Sequence, residues 1–213
     1  FWPVTGNCSS IDYLIDEYWP QSETETAQHC FRASGSSEEV VKNCIEPNLW
    51  MLKHRIHPYC DEFITASACS IIRNYQPDLL MIHPANIDGY RHQTGLFSPK
   101  VTHGLHEIDN WLGWLIKATQ DAGTCEDTDF FIVSDHGQIN IERVVCPNVL
   151  LAERGLITLG ENHEVKDYTA MIKSTGASAQ VFLKDPSDRQ AWEKTYAVLK
   201  ELCEAGVYGI SQV

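Results

Sequence analysis

The chain has 213 residues, of which 43% are apolar and 21% are charged, a balance typical of globular proteins with a substantial core. A formal net charge of −13 with scattered lysines and arginines excludes a broad surface for nucleic-acid polymers, which needs clustered positive charge. No apolar run is long enough to span a membrane, and residues 1–6 lack the order of a signal peptide.

The cysteine pattern bears on the compartment. The 8 cysteines form no Cys-x-x-Cys pair and follow no regular interval. This favours free thiols in a reducing environment over a disulfide framework, and it predicts a cytoplasmic protein. The even number of cysteines leaves secretion open.

In chain order, the first predicted elements are helices and a strand. Residues 36–39 (Ser-Ser-Glu-Glu) are a candidate capping box that opens a helix, and residues 58–76 form an amphipathic stretch. Residues 79–83 follow Pro77 and Asp78 and predict a buried strand.

The middle of the chain predicts a helix and a second strand. Ser98 and Pro99 are suited to the start of a helix, apolar residues recur at helical spacing, and Gly123 ends the pattern. Residues 130–133 then form another apolar, strand-like run. A strand, loop, helix and strand in this order are typical of parallel α/β sheets, whose functional sites lie at the carboxyl ends of the strands.

The last third predicts a strand at residues 179–183 and a helix over residues 186–205 that ends at Gly206. Residues 207–213 look like the start of another strand, and the chain also begins with strand-like residues. We therefore expect residues 1–213 to be a single portion of a larger domain, truncated at both ends.

Two clusters of potential metal ligands follow the two predicted central strands. Asp88 and His92 come after the first strand, and the adjacent Asp135 and His136 come after the second. Carboxylate oxygen and imidazole nitrogen suit zinc and neighbouring metals. Either pattern alone is common by chance, but two after strands predict a metalloenzyme. Because a catalytic zinc usually has three protein ligands, two further ligands are expected.

These segments resemble the nucleotide pyrophosphatase/phosphodiesterase family of the alkaline phosphatase superfamily. The resemblance rests on residues 79–95, with Asp88, His92 and Gly95, on residues 129–137, which end in Ser-Asp-His-Gly, and on the initial Phe-Trp-Pro. It implies an alkaline phosphatase-like three-layer α/β sandwich with a mostly parallel central sheet and helices on both faces.

The resemblance also implies a metal site and a reaction. It assigns Asp88 and His92 to one divalent ion and Asp135 and His136 to another, both zinc, with manganese as the alternative. The remaining ligands, a late histidine and an early aspartate, and a Thr or Ser nucleophile upstream of Phe1 are expected outside these residues; Thr5 falls after the nucleophile's position.

The implied activity is a two-metal hydrolysis of a phosphodiester or pyrophosphate bond through a covalent phospho-enzyme. The substrate would be a small phosphate ester or a nucleotide-like molecule, and we expect the 213-residue chain by itself to be inactive. Phosphonate hydrolases, sulfatases and phosphomutases use a similar scaffold, so these activities remain alternatives, as does a non-catalytic metal-binding fragment.

Several other polar residues have simpler interpretations. His83, inside the predicted strand, is interpreted as a core histidine next to the site. Asn86 is interpreted as a loop cap, with phosphate contact as the alternative. Histidines on helix faces or in a polar turn are interpreted as packed or solvated, and these are His54, His57, His103, His106 and His163.

Overall fold

The structure, a computed structural model, describes residues 10–16, 22, 24–53 and 56–213. The chain divides into two units, Phe1–Asn140 and Ile141–Val213. In the part of the chain that the structure describes, no helix is both long and apolar enough to cross a membrane.

The first unit is helical where it is described. Its α-helices are α1 (Ala27–Ala33), α2 (Glu38–Val40), α3 (Tyr59–Tyr75), α4 (Asn86–Thr94) and α5 (Pro99–Ala122). The segment Val41–Ile45 continues α2 as a π-helix, and 3-10 helices cover Glu46–Met51 and Cys125–Asp127. The predicted helices at residues 58–76 and 98–123 are therefore confirmed as α3 and α5.

Capping residues explain where these helices begin and end. The Ser37 hydroxyl accepts the Val40 N–H at 3.2 Å, and the Ser98 hydroxyl accepts the Val101 N–H at 3.3 Å. Each bond satisfies a backbone donor that has no partner within the helix. The helix α5 ends at Gly123, whose φ of 75° is a left-handed conformation that glycine adopts without strain.

The core of the first unit lies between α3 and the segment from α1 to Ile45. Phe31 and Phe63 pack with ring centroids 5.6 Å apart. The fully or almost fully buried members of this cluster are Phe31, Val40, Val41, Cys44, Ile45, Phe63 and Ile71. A smaller cluster of Cys69, Ile72 and Ala118 joins α3 to α5. The helix α3 therefore packs on one side against the segment from α1 to Ile45 and on the other against α5.

The second unit is a small α+β arrangement. It contains α6 (Pro147–Glu153), β1 (Ile157–Leu159), β2 (Val165–Tyr168), β3 (Ala170–Ser174), β4 (Ala179–Leu183) and α7 (Arg189–Glu204). Strand β1 pairs with β2 and strand β3 pairs with β4, both antiparallel. Leu151, Leu156, Ile172 and Leu202 are among its buried residues. The predictions of a strand at residues 179–183 and a helix after it are confirmed.

The predicted central strands are wrong for this structure. Residues 79–83, 130–133 and 207–213 form no strand, and the two described sheets are antiparallel pairs, not a mostly parallel sheet. Met81 is 68% exposed and Val133 is 87% exposed. The physical reason is that a strand is stabilised by hydrogen bonds to a neighbour, and no described segment pairs with these runs. The strand-like residues with which the chain begins lie outside the described residues.

Candidate metal centre

The first predicted ligand pair lies on a helix and not on the loop that the sequence predicts. Asp88 and His92 are separated by about one turn of α4, which places both side chains on one face. The Nε2 atom of His92 lies 3.4 Å from Oδ1 of Asp88. Helical spacing alone therefore brings this carboxylate and this imidazole together.

The second ligand pair lies in an exposed segment without regular secondary structure. The Ser134 hydroxyl donates to the carbonyl of His136 at 2.6 Å, and the His136 N–H donates to Oδ1 of Asp135 at 2.9 Å. These bonds form a tight turn. It leaves Nε2 of His136 3.4 Å from Oδ2 of Asp135.

The two pairs meet in the first unit. Nε2 of His136 lies 3.9 Å from Oδ1 of Asp88, although the residues are far apart in sequence. The side-chain amide of Gln138 donates to the same Asp88 oxygen at 2.9 Å. The structure thus brings together all four residues that the sequence singled out as metal ligands, with His136 as the link between the pairs.

His83 also belongs to this site, which corrects its interpretation as a core histidine. Its side chain is 43% exposed, and its Nε2 atom lies 3.4 Å from Oδ2 of Asp135. The segment that carries it is not a buried strand, so its imidazole reaches the second pair. The available sequence signal was its position directly before α4. Gln138 was missed because an amide is not a typical metal ligand.

The donor atoms at this site suit a divalent cation. Two carboxylates and imidazole nitrogens face one another with partly exposed side chains, so an ion could reach them from solvent. Partial desolvation would raise the pKa of Asp135. The charge of His136, the His136 N–H and the charge of His83 outweigh this effect and hold that pKa below its usual value. The carboxylate of Asp135 is therefore ionised at neutral pH.

A buried network fixes α4 against α5. Asn86 is fully buried, and its amide donates to the Gly104 carbonyl at 3.2 Å and to the Glu107 carboxylate at 2.8 Å. The Tyr90 hydroxyl donates to the same carboxylate at 3.1 Å. Asn86 is therefore a structural link, neither a loop cap nor a phosphate ligand.

A second cluster of ligand-type residues lies at the start of α3. Among the described residues, His57, Cys60 and Asp61 are the group whose ligand atoms all lie within 4.8 Å of one another. Nδ1 of His57 lies 2.6 Å from Oδ2 of Asp61, and Oδ1 of Asp61 accepts the Ala85 N–H at 2.7 Å. Burial and the charge of Asp61 raise the pKa of Cys60 to about 12. A neutral thiol beside a satisfied His–Asp pair indicates a structural cluster.

Comparison with known proteins places these residues in a wider context. A sequence model of the family described as type I phosphodiesterase / nucleotide pyrophosphatase matches residues 10–207. The chain is 30% identical over 118 residues to ectonucleotide pyrophosphatase/phosphodiesterase 1 of Saccharomyces cerevisiae. The matched region covers 53% of this chain and 15% of the yeast protein.

Two more relatives show a similar pattern. The chain is 26% identical over 117 residues to ectonucleotide pyrophosphatase/phosphodiesterase 2 of the same yeast, covering 54% of the chain and 23% of the relative. It is 32% identical over 83 residues to a Caenorhabditis elegans ectonucleotide pyrophosphatase/phosphodiesterase, covering 35% and 11%. The chain thus spans less than a quarter of the length of these curated relatives. No solved structure matches the chain.

Proposed function

Because the chain belongs to the type I phosphodiesterase/nucleotide pyrophosphatase family, we propose that it carries metal ligands of a hydrolase that cleaves phosphodiester or pyrophosphate bonds. The observation that supports this proposal is the meeting of two Asp–His pairs at one place, with His136 3.4 Å from Asp135 and 3.9 Å from Asp88. Chance motifs would have no reason to converge in space.

The proposed assignment gives each pair its own ion. Asp88 and His92 would hold one divalent cation, and Asp135 and His136 would hold the other, with zinc or manganese as the metal. When bound, such ions activate a hydroxyl nucleophile and stabilise the charge that develops on the phosphoryl oxygens. A Thr or Ser nucleophile upstream of Phe1, and the covalent phospho-enzyme that it would form, stay predictions.

The hydrogen bonds of the chain prepare its ligands for this role. Nδ1 of His136 lies 3.0 Å from the Gly137 carbonyl, and a carbonyl only accepts, so the proton sits on Nδ1. Nε2, which faces both carboxylates, is then the nitrogen that offers its lone pair to a metal when the imidazole is neutral. The amide of Gln138 similarly orients the carboxylate of Asp88.

The negative net charge of the chain is compatible with a small anionic substrate only when metal cations are bound. A net charge of −13 repels a phosphate ester unless cations reverse the local field. The proposed substrate is therefore a small phosphodiester or nucleotide-like molecule that binds only when the metals are present.

The proposal also includes a mostly parallel central sheet and a cytoplasmic location. The apolar runs at residues 79–83 and 130–133 are only partly buried or exposed, but they have the composition of buried strands, which supports the proposal of a mostly parallel central sheet. All seven described cysteines are free, which supports a cytoplasmic location, whereas the names of the relatives describe ectonucleotide enzymes.

Zinc titration of the 213-residue chain, monitored by a competing chromophoric chelator, tests the ligand assignment. Wild type should bind zinc, and the Asp135→Ala/His136→Ala double variant should lose affinity at the second pair. His106→Ala, which removes an exposed imidazole from α5, is the matched control and should bind like wild type. Equal affinity of all three proteins would refute the assignment.

The reaction itself is tested on the full gene product with nitrophenyl esters. Metal-dependent hydrolysis of a phosphodiester, but not of a sulfate or phosphonate ester, is expected. A preference for sulfate or phosphonate esters would favour the alternative superfamily activities. No turnover of any ester would favour a non-catalytic metal-binding protein.

A further inference from the structure

The His57–Asp61 pair at the start of α3 contacts α4 at two points, and this joins it to the candidate metal centre. Asp61 is only 2% exposed, and His57 is 21% exposed. One carboxylate oxygen of Asp61 holds the imidazole at 2.6 Å, and the other accepts the Ala85 N–H at 2.7 Å. Both oxygens of the carboxylate thus have partners.

The first contact is at the beginning of α4. Ala85 is the N-cap residue, and its side chain cannot accept a hydrogen bond. In many helices a side chain from the first turn accepts the N–H of the N-cap residue. Here the acceptor is Asp61, which belongs to another helix. The start of α4 is therefore defined by a buried carboxylate of α3.

The second contact is at Gly89, the neighbour of Asp88. A Cβ atom on Gly89 would lie 2.7 Å from Cδ2 and 2.8 Å from Nε2 of His57. The imidazole ring therefore occupies the space that any larger side chain would need. The edge of the ring also faces Tyr90, with centroids 6.1 Å apart. His57 is thus packed against the turn of α4 that carries the ligand Asp88.

We infer that His57 and Asp61 are positioning residues, which set the place of α4 and hence of Asp88 and His92 relative to the second ligand pair. Asp61 fixes the first residue of the helix, and the His57 ring fixes the distance between α3 and the turn at Gly89. This inference rests on the proposed function, because it gives Asp88 and His92 their role as ligands. Loss of partners that orient metal ligands typically lowers metal affinity by about 10–100-fold.

The test measures zinc affinity of the 213-residue chain at a temperature well below the melting temperature of every variant. Asp61→Ala should weaken zinc binding by about 10-fold or more. Asp61→Asn retains an acceptor for the Ala85 N–H and a donor for unprotonated Nδ1 of His57, so it should restore most of the affinity. Val40→Ala, in the buried core away from the centre, is the control for a general loss of stability.

A double-mutant cycle tests the contact between the ring and the helix. Gly89→Ala should lower both the melting temperature and the zinc affinity, because its Cβ displaces His57 or α4. The same substitution should have a smaller effect when His57 is already alanine. Additive effects of the two substitutions would show that the ring does not set the position of α4.

The outcomes separate this inference from the proposed function. Zinc binding that is abolished by Cys60→Ala but unaffected by Asp88→Ala would make His57, Cys60 and Asp61 the ion site and overturn both. No zinc binding by wild type would also overturn both. Normal binding by wild type, weakened by Asp88→Ala but not by Asp61→Ala beyond the Val40→Ala control, would overturn the inference alone.

Discussion

The two ligand pairs of the candidate centre have the same chemistry but are held in different ways. Asp88 and His92 sit on a helix that is tied to α3 through Asp61 and to α5 through Asn86, both almost fully buried. Asp135 and His136 sit in an exposed turn whose hydrogen bonds join neighbouring residues.

This difference separates two ways of placing a metal ligand. Buried contacts between elements far apart in sequence define the position of α4, and their loss leaves polar groups without partners. A local turn defines the shape of the second pair but gives it less support from the rest of the unit. We therefore expect substitutions around α4 to affect stability strongly, and substitutions around the turn to affect mainly the chemistry.

The largest expected effect is the loss of hydrolysis when a candidate ligand is removed, and it should be equal for the two pairs. In the full gene product, Asp88→Ala or His136→Ala should reduce metal-dependent phosphodiester hydrolysis by about 10³-fold or more, since groups that act as a unit fail together. The measurement is the initial rate with a nitrophenyl phosphodiester at saturating zinc. A large loss for one variant and a small one for the other would mean that only one pair serves catalysis.

The second largest expected effect is on the free energy of unfolding, which should respond more strongly to changes around the first pair than to changes around the second. Asn86→Ala leaves the Glu107 carboxylate and the Gly104 carbonyl without their amide donor, and it should lower the free energy of unfolding by about 2–3 kcal/mol. Ser134→Ala removes an exposed, local hydrogen bond and should change it by about 0.5 kcal/mol or less. Urea denaturation of the 213-residue chain measures both. Similar losses would mean that the turn is as firmly integrated as the helix.

Packing between α4 and α5 gives a third contrast. A Cβ on Gly104 would lie 2.8 Å from the Tyr90 ring and 3.0 Å from Cδ1 of Ile87, so Gly104→Ala should destabilise the chain by about 1–3 kcal/mol. Gly113 lies in the same helix, and a Cβ there meets nothing within 4 Å. Gly113→Ala should stabilise by up to about 1 kcal/mol through helix propensity. Equal changes in the free energy of unfolding for both substitutions would show that α4 does not pack closely against Gly104.

The smallest expected effect is a pH dependence of the free energy of unfolding that arises from the His57–Asp61 pair, which packs against α4. The hydrogen bond that the protonated His57 ring donates to the Asp61 carboxylate raises the pKa of His57, although burial opposes it. The folded pKa exceeds the unfolded value of about 6.5, so the stabilisation is complete below that pH and is lost as pH rises through the folded pKa. The unfolding free energy of wild type minus that of His57→Gln should therefore be larger at about pH 6 than at about pH 8. A constant difference would contradict this prediction.

Much of the local structure was predictable from the sequence. The helix α5 was predicted from Ser98, Pro99 and Gly123, because capping groups satisfy backbone donors and acceptors of adjacent residues. Strand β4 and helix α7 were predicted in the same way from local pattern. The strands at residues 79–83 and 130–133 were not, because a strand depends on a partner elsewhere in the chain.

By itself, the sequence determined the identity of the four candidate ligands. The preference of carboxylate and imidazole groups for zinc and neighbouring metals is a property of the side chains and is known before their positions in space. Only the tertiary structure decided that Asp88 and His92 lie on a helix, that His136 joins them to Asp135, and that His83 reaches the same carboxylate. It also decided the role of His57 and Asp61, whose i, i+4 spacing is visible in the sequence but whose contacts with Ala85 and Gly89 are not. The reason is physical: ligand chemistry belongs to single side chains, whereas position arises from packing between segments that are distant along the chain.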